Sequence, residues 1–306
     1  MTTEKDVYPE FDSIPVSTKT FIVMTNIIID LKKLFDFLPI TDFTVLTKKR
    51  GRKTKPISND LNKDVIDGSI ITLKYENQIR GVDLKLKKTN KKKKSKWFRN
   101  SFTVVIILDK KAINFKICSN GMWQVTGAKH DGQVESCVKY IWNHIHSNHN
   151  NIYSFTRGKY LEAIFIPAMR NIDFSLGFLI NREKLARYMC TQTEFHSLLE
   201  TSFGYTGVNI KIKVKDNICS MELRKLTFLE DEIKESSLLY GEYISRLSEK
   251  EQQKKIKKDR YTTFLVFHSG KVIVSGITAD ITRPSYEYFL KIIQRCKNDI
   301  EERLEI

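Results

Sequence analysis

The sequence predicts an α+β fold made of two diverged copies of one strand-rich unit, each an antiparallel sheet with helices on one face. Three observations carry this. A glycine-marked hairpin occurs twice in register, an apolar stripe of helical period follows each hairpin, and the length and composition suit a folded chain of that size. At 306 residues with 41% hydrophobic and 11% aromatic content, the chain can bury a sizeable core, and its length suggests about two domain-sized units.

The repeat is clearest at the hairpins. Residues 115–129 read FKICSNGMWQVTGAK and residues 264–278 read FLVFHSGKVIVSGIT. Phe115 pairs with Phe264, Gly121 with Gly270 and Gly127 with Gly276, each at an offset of 149. Apolar strands on either side of a Ser-Asn-Gly or Ser-Gly turn read as β-hairpins, because glycine supplies the positive φ that a tight turn needs. The helix after each hairpin is expected at the same offset, opened by Asp131 and by Asp280. Its apolar stripe is Val134, Cys137, Val138, Ile141, Trp142 and Ile145 in the first copy. In the second it is Tyr286, Phe289, Ile292, Ile293, Cys296 and Ile300, with Pro284 suited to the first turn.

Earlier segments extend the match. Residues 68–77 resemble 207–216, and 79–85 resemble 218–224, all at an offset of 139. Each copy begins with a strand leading into a short helix, 29–34 in one and 180–185 in the other, with Asp30 or Asn181 as N-cap. Leu31, Leu34, Phe35 and Leu38 form the first short helix's apolar face. The expected organisation is a tail at 1–16, a first repeat at 17–146 with basic insertions, a polar linker at 147–159, and a second repeat at 160–306 with a helical insertion at about 228–259.

Charge narrows the partner. Fifty-two Lys and Arg against 36 Asp and Glu give a formal net charge of +16, which favours a polyanion, since neutralising phosphates releases condensed counterions. No run approaches the roughly 18 apolar residues of a membrane span, so no membrane partner is expected. Met1 to Glu10 is acidic and polar, unlike a signal peptide. Cys118, Cys137, Cys190, Cys219 and Cys296 are odd in number, widely spaced and without a CxxC pair, which reads as reduced cysteines in an intracellular protein. The prominence of Lys, Ile, Asn, Phe and Tyr suits an A/T-rich genome.

At the hairpin-plus-helix the chain resembles the TATA-binding protein family, whose repeats follow a pattern similar to I-F-x-S-G-K-x-V-x-T-G-A-K before a long helix. Ser119-Asn-Gly-Met-Trp-Gln-Val-Thr-Gly-Ala-Lys129 and the run from Leu265 to Gly276 carry the likeness. The run from Met169 to Asp173 resembles the strand that opens the family's second repeat. The resemblance covers most of 17–304 and is close only in the hairpins; extra segments at 41–65, 78–100 and 217–259 depart from the compact cellular form. With the A/T-rich composition, they point to diverged relatives in large cytoplasmic DNA viruses. The resemblance implies a saddle of two pseudo-symmetric repeats, one curved antiparallel sheet with helices on the convex face and the concave face in the DNA minor groove. There aromatic wedges enter base steps and kink the duplex.

Carried onto this sequence, the resemblance places Phe267 on a wedge position with Tyr205 as its partner. Asn171 falls on an asparagine that bonds base-edge acceptors, Ile273 on a groove-facing apolar site, Ser275 on the hydroxyl position, and Lys211 and Lys271 on phosphate contacts. In the first repeat Thr126 is kept and Lys129 completes Gly-Ala-Lys, but the wedge positions read Cys118 and about Ile66, the asparagine site about Thr20, and the valine site Gln124. An asymmetric binder follows, kinking DNA mainly at the end held by the second repeat. The function implied is a DNA-binding general transcription initiation factor that bends promoter DNA. Its partners would be double-stranded DNA, a B-type initiation factor and RNA polymerase. Its place would be the viral factory of the host cytoplasm or the virion if viral, and the nucleus otherwise.

Other signals are weaker. Eight lysines between Lys85 and Lys96, followed by Trp97 and Phe98, read either as a phosphate-gripping or import loop or as a solvated insertion, and so does the run from Lys48 to Lys55. His144, His146 and His149 lack partner cysteines, so no metal or other cofactor is expected. Gly121 to Lys129 lacks the spacing of a phosphate loop. No clustered acids, nucleophile beside a base or metal-ligand spacing is visible, so an enzyme is not expected. Two other readings stand: a protein-interaction scaffold that has lost TATA-specific binding, and a nucleic-acid module of the repair or ribonuclease type, which would need a catalytic domain.

Overall fold

The computed structural model describes residues 8–42, 47–48, 55–56, 66–82, 100–147, 151–199, 207–214 and 218–302. It is an α+β protein with a large antiparallel sheet. In the first half the chain forms β1 (Val16–Thr25), β2 (Ile27–Ile29), helix α1 (Leu31–Phe37), the short β3 (Thr47–Lys48) and β4 (Lys55–Pro56), then β5 (Ile70–Tyr75), β6 (Gln78–Gly81), β7 (Ser101–Leu108), β8 (Lys111–Cys118), β9 (Met122–Ala128) and helix α2 (Asp131–Ile145). The second half forms β10 (Tyr153–Phe155), β11 (Leu161–Ser175), α3 (Arg182–Gln192), β12 (His196–Leu199), β13 (Gly207–Lys213), β14 (Glu222–Phe228), β15 (Ile233–Leu239), α4 (Tyr240–Ser245), α5 (Glu249–Ile256), β16 (Tyr261–Phe267), β17 (Lys271–Gly276) and α6 (Ala279–Ile300).

Two compact units result. An N-terminal unit holds Thr20–Ile166 with Leu223–Ser237; a C-terminal unit holds Met1–Lys19, Pro167–Glu222 and Leu238–Ile306. Within the N-terminal unit the strand order is β1-β9-β8-β7-β5-β6, and within the C-terminal unit it is β11-β17-β16-β13-β12. Each long helix packs on its sheet through alternate strand residues. Phe115, Ile117, Trp123 and Val125 join Val134, Cys137, Val138 and Ile141 in one core. Phe264, Val266, Val272 and Val274 join Tyr286, Phe289 and Ile293 in the other, where the Phe264 and Phe289 rings stack 4.2 Å apart. A strand has period two, so each of these cores takes one strand face and the alternate residues lie on the face opposite the long helix.

The hairpin glycines are held by matching constraints. Gly121 and Gly270 both have φ +75°, and a Cβ at either would strike a carbonyl oxygen, that of Ile27 or of Phe178. The N–H of Thr25 donates to the Gly121 carbonyl (3.1 Å) and that of Ile29 to Ser119 (2.8 Å), while Leu176 donates to Gly270 (2.9 Å) and Ile180 to His268 (2.8 Å). In both units the hairpin tip therefore clasps the bend between the first strand and its short helix. Asp30 and Asn181 cap those helices, accepting from Lys33 N and Lys184 N, each at 3.0 Å. Each cap satisfies one otherwise orphaned N–H of the first turn.

Several expectations change. The register opposes Val104 to Phe115 and Ile210 to Phe264, so the counterpart of β13 is β7, not the 68–77 segment. The 79–85 segment likewise has no equivalent at 218–224, which holds a 3-10 turn at Ile218–Ser220 and the start of β14. Alternating apolar and lysine residues mark any half-buried strand, and nothing in that pattern tells an inner strand from its outer neighbour. The constant offset also ends at the helices: the position 149 residues after buried Val138 is exposed Glu287. Thr278 caps α6, its Oγ1 accepting from Ile281 N, and Pro284 stands inside the helix rather than in its first turn. The helix expected over 228–259 begins as the β14–β15 strand pair before α4 and α5. The polar stretch 147–159 contains β10, paired with β2.

The strand pair belongs to the N-terminal unit. β14 pairs with the first half of β11, from Leu161 opposite Phe228 to Phe165 opposite Arg224. Arg224 reaches Glu135 of α2 at 2.7 Å and also bonds Glu235, and Lys225 bonds Glu162. Phe228 lies edge-on to Trp142, 6.4 Å between centroids, so Trp142 serves this flank while the rest of its stripe is core.

Candidate nucleic-acid interface

The sheet face of the C-terminal unit opposite α6 follows from strand alternation. With Phe264 and Val266 in the core, Thr263, Leu265 and Phe267 point the other way and stay half-exposed. Lys271, Ile273 and Ser275 of β17, Asn171, Asp173 and Ser175 of β11, and Asn209, Lys211 and Lys213 of β13 share that face. Cross-strand pairing arranges them in rows. One row runs Lys211, Thr263, Ser275, Asn171; the next runs Asn209, Leu265, Ile273, Asp173. Leu198 of β12 extends the second row beside Asn209 and is 58% exposed.

Chemically, the face is an apolar lane with hydrogen-bonding groups across it and cations at its borders. Leu265 and Ile273 oppose each other, and Phe267 lies at the hairpin end of the same face. Asn171 Oδ1 and Asn209 Oδ1 are buried with no hydrogen-bond partner among the described residues. A buried amide oxygen without a partner costs about 1–3 kcal/mol. Lys211 and Lys271 are exposed. Lys213 bonds Asp259 at 2.7 Å, and that hydrogen bond, with the carboxylate's charge, pushes its pKa up. A hollow of about 940 Å³ beside Phe267 is lined by Asp173, Ser175, Arg182, Lys271 and Ile273 among others.

The same face of the N-terminal unit differs. Cys118 stands opposite Ser101, Gln124 opposite Lys116, and Thr126 opposite Asn114. The Thr126 hydroxyl donates to the Asn114 carbonyl at 3.0 Å, so it is already engaged. Burial pushes the Cys118 thiol up, against the opposing pull of Lys116. Lys129 lies beyond the end of β9, exposed, its main-chain N–H bonded to Gln133 at 2.8 Å. Burial, then the charge of Lys129, lowers the pKa of Lys111. By register, Val105 and Ile107 occupy the places of Lys211 and Lys213, yet they are only 6% and 1% exposed and form a second apolar cluster with Ile71.

The structure thus brings Phe267, Asn171, Ile273, Ser275, Lys211 and Lys271 onto one face of one unit, and Gln124 and Thr126 onto the matching face of the other. Lys129 is on neither row. Thr20, three residues ahead of Val23, is buried and holds the position that matches Asn171. Ile66 is 77% exposed and precedes β5, which by strand order matches β12 rather than β13. Tyr205 and the lysine run at 85–96 lie outside the described residues, as do the side chains of the 48–55 run. Sequence reading missed Asn209 and Asp173. Their signal was present in alternation with Val208, Ile210 and Ile172, but only the register brings both into one row. Among the described residues no group of His, Cys, Asp or Glu is placed to hold a metal ion, and no helix is long and apolar enough to cross a membrane.

No family model matches the sequence. Over 224 residues the chain is 31% identical to uncharacterized protein 335L of invertebrate iridescent virus 6, an alignment covering 68% of this chain. The chain spans 64% of that relative's length. Among solved structures, it is similar to the TBP of Methanococcus jannaschii at 13% identity and a TM-score of 0.45, over 94% of this chain and 99% of that one.

Proposed function

We propose that this chain binds duplex DNA in the minor groove through the sheet face opposite the long helices, bends it, and recruits transcription machinery as a viral initiation factor. In this reading the two units are pseudo-symmetric repeats of a TATA-binding-protein-like saddle with helices on its convex side. The C-terminal unit supplies most of the grip. One observation carries the reading: Leu265, Ile273 and Phe267 form a half-exposed apolar lane between Asn171, Asn209 and Ser275, with Lys211 and Lys271 at its borders. The minor groove calls for such a surface. Its floor offers base acceptors to amides and hydroxyls, its walls are sugars that favour apolar contact, and its rims are phosphates. A net charge of +16 adds long-range attraction. A B-type initiation factor and RNA polymerase are the partners this reading implies.

The test is a titration of A/T-rich duplex, G/C-rich duplex and single strands across salt, with bending read by energy transfer between duplex ends. A/T-rich duplex is expected to bind most tightly and to bend, and Phe267→Ala to abolish most of the bend. Equal binding to all three, or an unchanged bend, would overturn the reading. A protein scaffold is the second reading, favoured by the covered Val105 and Ile107 and by Cys118 in the place of Phe267. It predicts no duplex binding at any salt.

A further inference from the structure

We infer that Asp173 makes the C-terminal unit a reader of guanine: its carboxylate accepts from the exocyclic N2 amine that only a G·C pair presents in the minor groove. This rests on the groove-binding reading above and specifies what that face selects.

Asp173 sits opposite Ile273 at the end of the row that begins at Asn209, on the same face as Asn171 and Ser275. It is exposed and makes no ion pair among the described residues. It lines the hollow of about 940 Å³ that Phe267, Ile273, Lys271 and Arg182 also line, so a ligand edge has room above it. An ionised carboxylate can only accept hydrogen bonds. An A·T pair shows it two acceptors, adenine N3 and thymine O2, and neither can be satisfied; a G·C pair adds the one donor of the groove floor. The neighbouring amides have the complementary capacity, since Asn171 and Asn209 can each turn an N–H toward acceptors.

The N-terminal unit shows that the position does not require an acid. Thr25 and Leu176 make the equivalent bond to a hairpin glycine, and three residues ahead of them stand Ile22 and Asp173. An apolar side chain there suits an A·T floor. A carboxylate in its place brings negative charge near phosphates, which Lys271 and Arg182 along the same hollow offset locally. A donor on the ligand is the remaining requirement, and guanine supplies it.

The experiment compares duplexes in which each pair of an A/T-rich site is changed in turn to G·C or to inosine·C, which lacks only the N2 amine. At one position under the C-terminal unit, G·C should bind about tenfold tighter than inosine·C, the lower range of a good base contact. Asp173→Val, checked for an unchanged thermal melt, should erase that difference and tighten binding to A·T there. Asp173→Asn, which keeps an acceptor without the charge, should retain part of it. Equal affinity for G·C and inosine·C at every position, or a preference that survives Asp173→Val, overturns the inference while leaving groove binding intact. If no duplex binds at all, the groove reading itself fails and takes this one with it.

Discussion

The sheet faces opposite α2 and α6 share a strand order and a hairpin clasp, yet they present different chemistry. Where the C-terminal unit has Phe267, Ile273 and Lys271, the N-terminal unit has Cys118, Gln124 and Met122. Where it exposes Lys211 and Lys213, the other buries Val105 and Ile107. The helix-facing sides, by contrast, stay apolar in both: Phe115 and Ile117 in one, Phe264 and Val266 in the other. The difference teaches which side of such a sheet is free to vary. Residues that pack under a helix are constrained by close-packed neighbours, whereas the alternate residues are free to change. The difference between the units has therefore gathered on the face proposed to meet DNA.

That contrast can be broken at its foundation first. Phe289→Ala removes the ring stacked on Phe264 and should cost the C-terminal unit about 3–5 kcal/mol. Hydrogen exchange should show lost protection in β13, β16 and β17 with β7 to β9 less affected, and duplex binding should fall with the unit. Uniform loss across both units would mean that they unfold as one rather than as two separate units. Next in size, Lys211→Ala with Lys271→Ala should lower the salt slope of duplex binding by about two, while Lys116→Ala in the N-terminal unit should lower it by less than about one. Equal slopes would erase the asymmetry. Cys118→Phe sharpens the comparison from the other side. It places an aromatic ring at the position matching Phe267, and energy-transfer measurements should detect a second kink in the range of about 20–90° that wedge residues produce.

The smallest effect concerns the strand pair that only the N-terminal unit carries. Burial raises the pKa of Glu162, but its bonds to Lys225 and Arg157 outweigh this and hold the carboxyl below the usual carboxylate range. Its folded pKa lies below the unfolded one. The bonds therefore stabilise the unit fully above pH about 5 and lose that contribution as pH falls through 4.5 and below. Glu162→Gln should flatten the acid limb of the unit's melting curve by about 1 kcal/mol, the order expected of a partly exposed ion pair. No change in that limb would assign the strand pair's attachment to Arg224 and Phe228 alone.

Much of this was legible in the chain before folding. The two hairpins could be read because a positive φ next to a carbonyl admits only glycine, and that need marks Gly121 in one hairpin and Gly270 in the other. Both short-helix caps were legible because Asp30 and Asn181 stand three residues ahead of the N–H that each accepts. The pairing of 68–77 with 207–216 misled, since β5 and β13 share a period and a composition but not a neighbour. The stretch from Ile233 to Leu239 fell within the expected helix because Ile233 stands seven residues before Tyr240, which begins the spacing continued by Tyr243, Ile244 and Leu247, and pairing with β14 decided for strand.

By itself, then, the amino-acid order determined what is local: turns that tolerate one residue type, caps three residues from their partners, and the period that sorts each strand into two faces. Only the tertiary structure decided which strands lie side by side. Register is a long-range choice, made when whole faces bury together, and a slip of one residue would turn every side chain to the other face. That choice put Asn209, Leu265, Ile273 and Asp173, from three distant strands, into one row.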